Sequence, residues 1–301
     1  MLWLCVENFD AVLFHWPSLC DYPHVGKRSQ NQLYVMASDE SPQWRFSGWG
    51  LPDFVDFFNA TMTYRMDSDI YWPYGFVEKL PNAPKTDKEI ALAKRNVTRN
   101  YAEGKSKLAV WFVSHCKTDS RREFYVHILQ KKSQIDIFGK CGKKFCPWTA
   151  ASDCYSRIEI DYKFYLSFEN SLCRDYITEK MYNILELDMV PIVYGAADYA
   201  ELFPPHSYID ALKYSPQELS KYLDLLDKND TLYNEYFWWK PYYKWELSKF
   251  KISSIGMIKL NWEIRLFGCY QVESSKREIR HRIHIHISAD VSSVKSNKCY
   301  V

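Results

Sequence analysis

Residues 107–227 alternate continuous apolar runs with amphipathic stretches, and this alternation constrains the fold more than any other feature of the chain. KLAVWFVS (107–114) is an unbroken apolar run between polar residues, the pattern of a strand buried on both faces of a parallel sheet. RREFYVHILQKK follows as a helix, with Phe124, Ile128 and Leu129 expected on one face, and SQIDIFG reads as the next strand. KFYLSFEN, RDYITEKMYNILEL and VPIVYG repeat strand, helix, strand, and PQELSKYLDLLDKN is a further amphipathic helix. Such repetition predicts a parallel α/β sheet. Upstream, residues 8–80 carry short apolar runs split by Pro and Gly, and AVLFH predicts a buried strand over Asp10 to His15. Residues 81–105 are polar, with Pro81 and Pro84 near their start, and read as a linker with one short helix from Asp87 to Arg95.

A length of 301 residues suggests two domains of ordinary size. An apolar fraction of 47% with 25% charged residues excludes a disordered, collagenous or coiled-coil chain. The net charge of +2 supplies no bulk field for nucleic acid or a membrane surface. No apolar run reaches the ~18 residues of a membrane span. The opening residues are apolar, but Glu7, Asp10 and His15 interrupt them, and no basic n-region or cleavage site is visible. Three N-x-[ST] sequons, at Asn59, Asn96 and Asn229, and nine Cys point to an oxidising, luminal compartment.

The chemistry concentrates in KFYLSFENSLCRDYITEK. Glu169 and Asn170 end a predicted strand, and in open α/β sheets the ligand crevice lies outside that carboxyl edge. In the helix expected next, Ile177, Met181, Ile184 and Leu185 form an apolar stripe. Tyr176, Glu179, Lys180 and Asn183 form a polar stripe beside it. The first turn of such a helix suits an anion such as phosphate, and Lys180 would add a full positive charge. Glu179 would be repelled by a diphosphate and suits sugar or ribose hydroxyls better. The same spacing also fits a solvated helix face with an adjacent Glu-Lys pair.

KFYLSFENSLCRDYITEKMYNILELDMVPIVYG resembles the signature of the α-1,3-fucosyltransferases, glycosyltransferase family 10, with insect members nearest in pattern. DAVLFH, ESP (40–42), FNATMTYRMDSDIYWPYG (58–75), KLAVWFVSHC with Arg121 and Arg122, DIFGKCG and DYAELFPPHSYID match further blocks in the family's order. The resemblance covers about residues 8–245. It implies an α/β protein of GT-B type, with two Rossmann-like domains facing a cleft. On that basis residues 1–105 form an incomplete acceptor-side domain with linker, 106–245 a GDP-fucose-binding domain, and 246–301 a divergent tail. The implied reaction is inverting transfer of fucose from GDP-fucose to a GlcNAc hydroxyl on a glycan, in the Golgi. Carried over by position, Glu40 is the catalytic base. Ser114, Arg122, Glu169, Asn170, Tyr176, Glu179 and Lys180 hold the donor, with Arg122 at the diphosphate and Arg121 beside it. No cofactor is required, and a divalent cation at most stimulates.

The chain departs from the family pattern in three places. It begins just before DAVLFH, so membrane anchor, stem and the first part of the N-terminal domain are expected to be missing. His115 stands where Asn is usual, and Asp188 where Gly is usual. After about Trp245 the likeness stops. The alternative reading is a catalytically inactive, truncated GDP-sugar-binding homologue. Asp67-Ser68-Asp69 resembles a metal–diphosphate DxD but falls outside the donor block, so a hydrogen-bonded turn is the expectation. Cys141, Cys146, Cys154 and Cys173 fit no standard zinc spacing and are expected as disulfide partners or buried thiols. In any strand His284 and His286 would share one side and His281 the other; the pair could chelate a metal, but an exposed polar face is the expectation.

Overall fold

A computed structural model describes residues 10–18, 28, 30–43, 54–146, 151–248 and 264–267. Cys5, Cys20, Cys269, Cys299 and the three histidines of the tail lie outside them. The chain divides into two units: residues up to Pro73, joined by the strand Ile264–Phe267, and Tyr74–Leu247.

The first unit is a parallel five-stranded sheet. Its strands are β1 (Ala11–His15), β2 (Leu33–Ser38), β3 (Ala60–Thr63) and β4 (Ile70–Tyr71), with Ile264–Phe267 on the outer side of β1. Successive side chains of a strand point to opposite faces, so a continuous apolar run feeds two cores. Val12 and Phe14 join Trp16, Tyr34 and Phe54 on one face. Leu13 joins Val35, Ala37, Ala60 and Met62 on the other. Each such side chain, fully buried, contributes roughly 1.5–3 kcal/mol. The strand beside β1 comes from the 246–301 segment, for which the sequence offered no element.

The second unit begins with β5 (Gly75–Lys79) and α1 (Asp87–Arg95). Helix α1, expected within a linker over 81–105, is part of this unit. The capping box of Thr86 and Glu89 starts α1, and Ile90, Ala93 and Val97 pack on a cluster centred on Trp238 and Trp239. There follow β6 (Lys107–Phe112), α2 (Arg122–Leu129), β7 (Ile135–Phe138), α3 (Ala151–Asp161), β8 (Tyr162–Phe168), α4 (Glu179–Leu185) and β9 (Val190–Tyr194). After them come α5 (Tyr199–Leu202), β10 (Ile209–Asp210), α6 (Pro216–Asp227), α7 (Asp230–Asn234) and β11 (Tyr243–Leu247). The main sheet is parallel in the order β10-β9-β8-β6-β7, and β11 pairs antiparallel with β5. All of β8 is buried. Phe164, Leu166 and Phe168 enter one core, and Tyr165 enters the other with Val110 and Ile184.

Two helices differ from the sequence expectation. In α2 the buried series is Arg122, Val126 and Leu129, while Phe124 is 64% exposed and Ile128 is also exposed. The helix phase follows the 122-126-129 series, which leaves 124 and 128 on the solvent side. The helix expected over 174–187 occupies only Glu179–Leu185. Asp175 has φ +62°, which a helix cannot continue through, and Thr178 is extended and caps α4 by accepting from the Lys180 N–H. Tyr176 and Ile177 therefore precede the helix, and the four-residue polar stripe does not exist as a helix face. Met181, Ile184 and Leu185 are buried as expected.

Candidate functional site

In the second unit, the end of β8 is stitched to the loop between β6 and α2. Ser120 N–H donates to the Asn170 carbonyl (3.1 Å), Ser120 Oγ to the Glu169 carbonyl (2.8 Å), and the Arg122 guanidinium to the Phe168 carbonyl. Glu169 N–H donates to the Tyr194 carbonyl at 2.9 Å, which adds the end of β9. Three neighbouring strand ends are thereby locked into one edge, where an open parallel sheet forms its ligand crevice.

Glu169 lies at the centre of this edge and is 0% exposed. Its Oε1 accepts from Thr178 N–H (2.9 Å) and Thr178 Oγ1 (3.0 Å). Its Oε2 accepts from Thr178 Oγ1 at 2.9 Å and pairs with Lys180 Nζ at 3.2 Å. Burial pushes its carboxyl above the ordinary value, against the pull of Lys180. The Lys180 ammonium also bonds Thr178 Oγ1 (2.7 Å) and Glu179 Oε1 (3.1 Å), and its side chain is one-fifth exposed. Burial alone would lower Lys180, but the Glu169 and Glu179 carboxylates outweigh it and hold the ammonium above its usual value. Glu179 is half exposed beside it.

Arg122, at the start of α2, is 3% exposed and lies over the Trp111 ring, 5.4 Å from its centre. Burial lowers its pKa most, with Glu169 opposing, though a guanidinium stays protonated. Its second partner is the His115 carbonyl at 3.4 Å. That contact uses backbone only, so His at 115 leaves it intact. Three buried polar atoms on these elements have no hydrogen-bond partner among the described residues: Arg122 Nε, Trp111 Nε1 and Asn170 Oδ1. Leaving such atoms unpaired costs about 1–3 kcal/mol each, a cost that a ligand or water at this edge would offset.

Ser114 is half-buried just past β6, and Arg121 takes a left-handed turn (φ +53°) with its side chain exposed. Gly139 (φ +93°) runs against this loop; a Cβ there would meet the Val113 carbonyl at 2.6 Å. The Cys116–Cys141 disulfide ties the same loop to the turn after β7. Tyr176 is 1% exposed, with its ring inside the fold. Asp188 needs no left-handed backbone; it pairs with Lys240 (2.6 Å) and Arg99, and its N–H donates to Glu159 at 2.8 Å.

In the first unit, Glu40 follows β2 and lines an open depression with Trp16, Met36, Ser38, Pro42, Thr63, Tyr64 and Arg65. Ser38 Oγ donates to the Glu40 carbonyl (3.0 Å). Next to it Asp39 pairs with His15 at 3.4 Å; burial would raise its carboxyl, but the His15 contact and backbone donors hold it below the ordinary range. Asp67 and Asp69 do not converge: Asp67 forks onto Arg65 (2.7 and 2.5 Å), and Asp69 accepts from Thr61 N–H (2.7 Å) and Oγ1 (2.9 Å).

The sequence reading missed Thr178, Ser120 and Trp111. Thr178 carried a signal, a Thr directly before Glu-Lys and an apolar stripe, which marks a helix N-cap. Ser120 and Trp111 gave none, because their roles come from contacts between distant segments.

Residues 102–282 match the profile of glycosyltransferase family 10 (fucosyltransferase), C-terminal part, and residues 3–75 match the fucosyltransferase N-terminal profile. The chain is 40% identical over 252 residues to alpha-(1,3)-fucosyltransferase C of Drosophila melanogaster, covering 79% of this chain and 58% of that one. It is 44% identical over 189 residues to glycoprotein 3-alpha-L-fucosyltransferase A of the same organism, covering 62% and 36%. A crystal structure of an alpha1,3-fucosyltransferase with GDP aligns with TM-score 0.48 and 17% identity, covering 77% and 69%. The chain spans about half the length of the curated relatives it matches. It belongs to glycosyltransferase family 10, the fucosyltransferases.

Proposed function

We propose that this protein transfers fucose from GDP-fucose to a GlcNAc hydroxyl of a glycan, with inversion and without a required metal. The observation that carries the reading is the locked edge of the second unit: Lys180 pairs with Glu179 at the start of α4, and Arg122 and Asn170 each hold a buried polar atom with no partner among the described residues. It is supported by membership in a family whose matched relatives are named as fucosyltransferases.

In this reading Lys180 and Arg122 neutralise the diphosphate, aided by polar groups of the 114–122 loop, and Glu179 accepts from sugar hydroxyls. Glu169 touches no donor; it holds Thr178 and Lys180 in position from below. The acceptor oxygen attacks the anomeric carbon, the bond from that carbon to the phosphate oxygen breaks, and GDP leaves with the electron pair. Glu40 takes the acceptor's proton. We assign the work to an oxidising lumen, the Golgi by family resemblance. Cys116–Cys141 and Cys146–Cys154 are bonded, and Cys173 is also in a disulfide.

The donor assignment is tested by thermal unfolding with GDP. A nucleotide at about 100 times its Kd should stabilise the protein by about 2.7 kcal/mol. Lys180→Ala should remove most of that shift; a shift left unchanged would eliminate the site.

A further inference from the structure

Residues 36–40 keep the alternation of a strand beyond the point where strand pairing ends. β1 and β2 are parallel, with Leu13 opposite Val35 and His15 opposite Ala37. Residues opposite each other share a face, and the next residue along turns to the other. Leu13, Val35 and Ala37 accordingly enter one core, while Phe14, Trp16 and Tyr34 enter the other, with Met36 packed against it. Met36, Ser38 and Glu40 continue this second series, and all three line the depression with Trp16. The ladder with β1 ends at the pair His15 and Ala37, and that with β3 at Ser38 and Thr63. Glu40 stands two residues past the last of them.

A side-chain tie on the opposite face carries the strand's phase on to Glu40. Asp39 follows the Ala37 series, on the face that His15 shares, and its Oδ1 lies 3.4 Å from His15 Nε2. The contact fastens the residue next to Glu40 to the last residue of β1. Ser38 Oγ, donating to the Glu40 carbonyl at 3.0 Å, braces the backbone of the same step. His15 and Asp39 are not among the described residues that line the depression. A slip of one residue here would turn Glu40 to the opposite face and bring the Asp39 carboxylate into its place.

We propose that His15 and Asp39 are the positioning pair of the base: their contact selects Glu40, rather than its neighbour Asp39, as the carboxylate that faces the depression. The inference rests on the reading of Glu40 as base. Fucose transfer by the purified chain, assayed well below the Tm of each variant, tests it. His15→Ala and Asp39→Ala should each lower kcat about 10-fold or more, the usual consequence of a misplaced reacting group. Both should keep the KM for GDP-fucose and the GDP-induced thermal shift. The double variant should lose no more than either single one, because the two side chains make one contact. His15→Gln and Asp39→Asn, which can still hydrogen-bond to their partners, should recover most of the loss. A purely structural role would lower Tm without this split between kcat and KM. Full kcat in His15→Ala or Asp39→Ala, additive losses in the double variant, or a His15→Gln no better than His15→Ala overturns the proposal while Glu40→Gln stays inactive. No wild-type turnover, or full turnover in Glu40→Gln, removes the base reading and this inference with it.

Discussion

Glu169 spends its charge inside the protein. A carboxylate at the end of a β8-type strand looked like a donor contact in the sequence, but its four bonding directions are taken by Thr178 and Lys180. Motif spacing locates such a residue and says nothing of which way its side chain turns. Burial decides that, and burial follows from packing across distant segments. Glu179 and Lys180, by contrast, open α4 with Glu179 half exposed and Lys180 one-fifth exposed. His206 carries a prediction of the same kind, since nothing in the sequence singled it out. It stacks on Tyr236 at 4.0 Å with φ +60°; burial, then Lys94, pulls its imidazole down to about 4, against Glu235. The folded imidazole is thus harder to protonate than the unfolded one, near 6.5. Stability is present above pH 6.5 and lost as pH falls towards 4, by about 2–3 kcal/mol at pH 4.5. His206→Asn, which keeps the left-handed backbone accessible, should flatten that fall in urea unfolding measured at pH 7 and pH 4.5. An equal fall in the variant would remove His206 as its source.

At the scale of elements, legibility followed local chemistry. Helix α1 has the bounds expected from sequence, because Thr86 and Glu89 cap it within three residues. The run 107–114 became a strand ending at Phe112, because a strand buried on both faces must be continuously apolar. Helix α4 was read too long, since the spacing of Ile177 and Tyr176 continues the helical period while the turn at Asp175 interrupts it. The strand Ile264–Phe267 was not legible at all; its partner β1 lies some 250 residues earlier, and only pairing identifies it. The loop between β6 and α2 depends on a tie of the same long-range kind. The Cys116–Cys141 disulfide spans a sequence separation of 25. Replacing both cysteines by Ser should cost about 2–4 kcal/mol in denaturant unfolding and weaken GDP binding. Undiminished GDP affinity would show that the loop holds its shape through Ser120 and Arg122 alone.

At the scale of the molecule, one parallel sheet was legible from alternating apolar runs, the second only from the family resemblance, and family membership from ordered motifs. The division of the chain was less so. Residues 81–105 look like a linker because they are polar, yet α1 packs on Trp238 and Trp239 of the second unit. Polarity reports one solvated face of a surface helix and misses its inward side. The proposed function rests on two chemical roles, donor binding by Lys180 and Arg122 and proton removal by Glu40. The direct measurement is transfer of labelled fucose from GDP-fucose to a GlcNAc-terminated glycan by the purified chain, compared with Glu40→Gln. The wild type should label the glycan and release GDP in equal amounts. The variant should keep the GDP-induced thermal shift and lose about 100-fold or more in turnover, the usual contribution of a positioned base. A wild-type chain that binds GDP but transfers nothing, or a Glu40→Gln variant with full turnover, would contradict the account.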